Sequence, residues 1–166
     1  MSAYDNAVAN APQELQCMIM EMDVFLKSLK LLKFKRSIER SGTKINYVSA
    51  EYGISYAIMI SAKEQLQHFG WYYLHDKVTN NWYRKHDYLV DTLTRIAKTA
   101  PQATGYLFDS INECTACKDG DCGKIPYEYD DRQKFACYGR IHLPMSHDGF
   151  ANAKLFFSTL VDILQP

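Results

Sequence analysis

Apolar residues recur along the first third of the chain with a period near 3.6. Leu15, Met18, Met22, Phe25, Leu29 and Leu32 stand three or four positions apart, which predicts the buried stripe of a helix that starts around Asn10 and Pro12. Gly42 in RSGTK is its latest stop. Cys17, Met20, Val24 and Leu31 add a second apolar stripe, wider than a helix on the outside of one small domain needs. Two arrangements would cover it: a two-fold homodimer, or a sandwich between the sheet and the terminal helix of the same chain. Cys17 reads as an inert core thiol on that face. Residues 1 to 10 show no period, and a loose segment is expected there.

The period then changes to two. In GISYAIMIS, Ile54, Tyr56, Ile58 and Ile60 alternate with Ser55, Ala57, Met59 and Ser61, which predicts a half-buried strand. FGWYYLHDKVTNNWYRK reads as a hairpin: Phe69 to His75 go out, Val78 to Asn81 turn, and Trp82 and Tyr83 return. Asp87 is placed to cap a helix buried through Leu89, Val90, Leu93, Ile96 and Ala97. Pro101 punctuates it, and a short helix with Leu107, Phe108 and Ile111 leads to Cys114.

The last third repeats hairpin then helix. Ile125 to Tyr129, the Asp130-Asp131 turn and Lys134 to Leu143 predict the hairpin. Ser146 or Asp148 caps a terminal helix with Phe150, Leu155, Phe156, Leu160, Val161 and Leu164 inward. The expected class is α+β: antiparallel hairpins or a sheet packed with about four helices, in one domain over residues 1–166 with the cysteine-rich hairpin at 114–143 integrated in it.

Charge narrows the partners. The 19 basic and 19 acidic residues cancel, so no nucleic acid is expected as partner. The densest basic stretch, Lys27, Lys30, Lys33, Lys35, Arg36 and Arg40, reads as a solvated helix flank. The most apolar run, Leu15 to Phe34, is interrupted by Glu21, Asp23 and three lysines, so no membrane span is expected. MSAYDNAVANAP has neither a charged start nor an apolar stretch, does not read as a secretory signal, and makes a cytosolic location the expectation.

Four of the five cysteines fall within CTACKDGDCGKIPYEYDDRQKFAC, with the spacing C-x2-C-x4-C-x14-C. Cys114 and Cys117 can present two thiolates from one knuckle, the chain through Asp119 and Gly120 can fold back to add Cys122, and Cys137 arrives from the returning strand. A structural zinc site made of Cys114, Cys117, Cys122 and Cys137 is the expectation, because zinc accepts four thiolates in a closed tetrahedron. An iron–sulfur cluster, two disulfides and a redox pair at Cys114 and Cys117 are the alternatives. The spacing matches no usual ferredoxin, reducing compartments disfavour disulfides, and a thioredoxin-like pair should follow a strand.

Catalysis has no visible address. His68, His75, His86, His142 and His147 form no ligand-spaced pair, and the chain lacks a P-loop, a nucleophile elbow and a dinucleotide fingerprint. No catalytic residue is assigned. The remaining feature is aromatic: Trp71, Tyr72, Tyr73, Trp82 and Tyr83 lie close together, and a strand sends neighbours to opposite faces. Trp71, Tyr73, Trp82 and Tyr83 are therefore the expected ligand surface, set against a hairpin covered on both sides. The reading is a zinc-stabilised module that binds a small molecule or protein. The alternatives are an enzyme whose site assembles only in three dimensions and, after it, a nucleic-acid adaptor.

FGWYYLHD, the C-x2-C pair, the third cysteine and CYGRIHLPM together resemble small uncharacterised bacterial proteins that end in a four-cysteine hairpin and a helix. The resemblance runs from about Lys44 onward and implies one domain with zinc; it implies no activity. The knuckle and hairpin also look like a small zinc ribbon. A typical ribbon repeats C-x2-C on its second arm, whereas Cys122 and Cys137 here stand fifteen positions apart, so no ribbon function is carried over.

Overall fold

A computed structural model of the chain describes residues 1–61, 64–71, 74–76, 81–83, 95–110, 124–137 and 141–165. The helices are α1 (Ala3–Ala9), α2 (Gln13–Ser28), α3 (Pro101–Asp109) and α4 (His147–Leu164), and residues 95–99 are also helical. The strands are β1 (Lys35–Ile38), β2 (Lys44–Ser49), β3 (Ile54–Ser61), β4 (Glu64–Trp71), β5 (Leu74–Asp76), β6 (Asn81–Tyr83), β7 (Lys124–Tyr129), β8 (Arg132–Cys137) and β9 (Ile141–Pro144). The fold is α+β. A five-stranded antiparallel sheet runs β1-β2-β3-β4-β9, with two separate ribbons, β5-β6 and β7-β8. No described helix is long and apolar enough to cross a membrane.

Alternation sets the inner face of the sheet. Ile45, Tyr47 and Ser49 of β2 and Ile54, Tyr56, Ile58 and Ile60 of β3 are buried, in a register that sets Ile45 opposite Ile58 and Tyr47 opposite Tyr56. One hydrophobic core joins this face to Leu15, Ile19, Met22 and Leu26 of α2 and to Phe150, Phe156, Phe157 and Leu160 of α4. Phe157 packs edge-to-face with three rings of this core, its centroid 5.4 Å from that of Phe34, 5.6 Å from Tyr56 and 5.5 Å from Phe156.

A polar clasp fixes the start of α4. Tyr56 donates to the buried Gln67 side-chain oxygen, and Gln67 Nε2 donates to the carbonyl of Pro144 at 2.9 Å. Ser146 caps α4 by accepting from the Gly149 amide at 3.1 Å. A Cβ at Gly149 would lie 2.2 Å from the Pro144 oxygen and 2.9 Å from Gln67 Nε2, so only glycine lets the first turn sit this close.

Several expectations are corrected. Residues 1–10 are not loose: α1 forms there, held by a capping box in which the Ser2 and Asp5 side chains each bond the other's backbone amide. The long helix stops at Ser28 rather than near Gly42. Lys33 takes a left-handed conformation (φ 47°), and the chain turns into β1. Leu29, Leu31 and Leu32 therefore leave the helical stripe, and the buried face of α2 is Leu15, Ile19, Met22, Asp23 and Leu26. The basic stretch is accordingly no single helix flank, and three of its members hold carboxylate partners: Lys27 and Arg36 on Asp23, and Lys33 on Glu51. Cys17 is exposed, not a core thiol. Trp71 ends β4 opposite Ile54, outside the β5-β6 hairpin, and the strand expected over Lys134 to Leu143 is divided between β8 and β9.

Candidate functional site

The cysteine hairpin starts from α3. Pro101 occupies its first turn, where a missing N–H costs nothing, and Ala103, Leu107 and Phe108 are buried. Gly105 leaves room for the Tyr129 ring, since a Cβ there would meet the Tyr129 hydroxyl at 3.0 Å. The Tyr129 hydroxyl donates to the Pro101 carbonyl at 3.0 Å, and its ring packs on Phe108 at 5.9 Å. From β8, Arg132 pairs with the Asp109 carboxylate at 3.1 Å, and Lys134 Nζ donates to the Asp109 carbonyl at 3.2 Å. A cation at a helix C-terminus is favourably placed against the last carbonyls. The β7-β8 ribbon is thus fastened to the end of the helix that leads into the cysteine segment.

The ribbon turns at Asp130 and Asp131, both left-handed (φ 51° and 58°), the pairing a two-residue type I′ turn requires. Its register runs from Tyr129 opposite Arg132 to Lys124 opposite Cys137. Cys137 consequently lies at the open end of the ribbon, beside the strand that Cys122 leads into. Cys114, Cys117 and Cys122 lie outside the described residues, as do Tyr73, His86 and the expected helix cap Asp87. Among the described residues no group of three or more His, Cys, Asp or Glu side chains could hold a metal. Of the expected ligand surface, Trp82 and Tyr83 stand on β6, opposite His75 and Leu74, and Trp71 stands at the end of β4. His142 lies on β9 opposite His68, and His147 opens α4 in an exposed position. Beside the ribbon turn a shallow depression of about 850 Å3 is lined by Lys98, Glu128, Asp130, Asp131 and Arg132 among others.

One buried ionic cluster went unseen in the sequence. Asp23, 5% exposed on the inner face of α2, accepts from Tyr47 at 2.9 Å, Arg36 at 2.8 Å and Lys27 at 2.6 Å. Burial acts to raise its carboxyl, and hydrogen bonds from Lys27, Tyr47 and Arg36 outweigh it, so the group is held below the ordinary 3.8. The Tyr4 ring covers the Arg36 guanidinium at 3.9 Å. Burial and the Asp23 charge push the Tyr4 phenol up to about 12 and raise Tyr47 further. Three donors converge on one carboxylate, Tyr47 on one oxygen and Arg36 and Lys27 on the other, and with the Tyr4 ring the cluster joins α1, α2, β1 and β2. The only sequence signal for it was an acidic residue inside an apolar helical stripe. Compared with family models, curated proteins and solved structures, this chain matches none of them.

Proposed function

We propose that the chain is a zinc-stapled binding module, in which Cys114, Cys117, Cys122 and Cys137 hold one structural Zn2+ and the aromatic segment around Trp71, Tyr73, Trp82 and Tyr83 recognises a small molecule or a protein partner. The observation that carries this reading is the β7-β8 register, which sets Cys137 opposite Lys124. Two residues of chain, at most about 7 Å, separate Lys124 from Cys122. Cys114 follows Asp109 by five residues, at most about 18 Å, and Asp109 is bound by two side chains of β8. Both routes into the cysteine segment therefore leave from points tied to the strand that ends in Cys137. Four thiolates with no open position make the metal structural, and the metal itself lowers the thiol pKa values. The binding assignment draws on the aromatic pair of β6: a two-stranded ribbon is marginal alone and gains stability from whatever packs on it.

Protein produced without added metal should carry about one zinc per chain. Elemental analysis reads it, and zinc absent from fully reduced protein, or iron with visible absorption, rejects the assignment. Chelation should expose the β7-β8 amides to hydrogen exchange while the β2-β3 amides stay protected. The aromatic surface is read with anilinonaphthalene sulfonate: Trp82→Ala should weaken dye binding at unchanged zinc content, and unchanged binding would reject that surface.

A further inference from the structure

Apart from Met1, the large apolar side chains standing exposed among the described residues are Met20 at 45%, Val24 at 68% and Leu155 at 41%. Met20 and Val24 line one groove of about 540 Å3 together with Cys17, Glu21, Phe25 and Lys154. Leu155, expected on the inner face of α4, is exposed instead and does not line this groove. Among the described residues, Met20 and Val24 thus stand together on an open apolar face of α2, beside Lys154 of α4.

We propose that this α2-α4 face is the two-fold interface of a homodimer. The charges at the groove argue for a second copy over a different partner. Glu21 and Lys154 pair across it at 3.2 Å, with side chains 66% and 33% exposed. One acid and one base leave the groove without net charge and make it complementary to itself. A two-fold axis through it sets Glu21 of each copy beside Lys154 of the other, while the apolar residues between them close on their own images. The four helices so joined bury the stripe that one chain leaves open. This interface is independent of the zinc reading, since none of its residues belongs to the cysteine hairpin.

The test uses charge exchange on the intact chain. Sedimentation velocity at micromolar concentration should give a dimer mass for the wild-type protein. Glu21→Lys makes the groove wholly basic and Lys154→Glu makes it wholly acidic, so each variant alone should self-associate about tenfold more weakly. Mixed in equal amounts, the two should pair with each other and recover the dimer. Both positions are solvent-accessible, and zinc content and circular dichroism should not change. A monomeric wild-type protein overturns the proposal. A wild-type dimer whose two variants fail to pair on mixing overturns it as well, because the contact then lies elsewhere.

Discussion

The Tyr47 hydroxyl of β2 donates to Asp23 Oδ1 of α2 at 2.9 Å, inside the core and twenty-four residues away in sequence. Arg36 of β1 takes the other carboxylate oxygen at 2.8 Å. Asp23→Asn keeps the shape, removes the charge and strands the partly buried guanidinium, so it should cost about 3 kcal/mol. Tyr47→Phe removes one donor and should cost about 1 kcal/mol. Urea denaturation of both variants checks the order.

The same cluster sets the pH limits. Asp23 is ionised more readily in the fold than in the open chain, so its contribution is present above the ordinary 3.8 and is lost as pH falls through the lower folded value. Tyr4, raised to about 12, and Tyr47, raised further, act in the opposite sense. Their contribution is full below the ordinary 10.0 and is lost as pH rises beyond it. Thermal melts should show a plateau between these limits. Tyr4→Phe with Tyr47→Phe should move the alkaline decline to higher pH.

Gly149→Ala tests the clasp at the start of α4. Within an ordinary helix the change would gain about 1 kcal/mol. Here the new methyl would meet the Pro144 oxygen at 2.2 Å, a backbone atom that cannot swing aside. A net loss of about 2–3 kcal/mol is expected, with the change in melting temperature as the measure.

Asp130→Asn combined with Asp131→Gly places the preferred pair at two left-handed turn positions. Stability should rise by about 0.5 kcal/mol, read from denaturation midpoints. Zinc content should not move.

Cys137→Ser should abolish metal retention and free the β7-β8 amides to exchange, whereas Cys17→Ser, at an exposed thiol, should shift stability by less than about 0.5 kcal/mol. Equal effects of the two would reject the proposed staple.

Elements whose signal is local were legible in the chain. The alternation of Ile54, Tyr56, Ile58 and Ile60 named β3 and its buried face, Ser146 and the apolar run behind it named α4, and the Asp130-Asp131 pair named the β7-β8 turn. Each rests on a period of two or 3.6, or on turn and cap chemistry, and none of these needs a distant partner. What depended on distant partners was not legible. No glycine or proline marks the end of α2 at Ser28; the helix gives way because Leu32 enters the core and β1 finds β2, in a register that sets Arg36 opposite Tyr47. The same pairing made Asp23 a buried charge where the helical period alone marked an interruption. The sequence marked α2 as apolar over a wide arc, and only the packing decided that Ile19 and Leu26, outside both expected stripes, are fully buried while Met18 and Phe25 are partly buried. The sheet takes Leu15, Ile19, Met22 and Leu26, and Met20 and Val24 remain on the open side because one helix cannot present both stripes to a single sheet face.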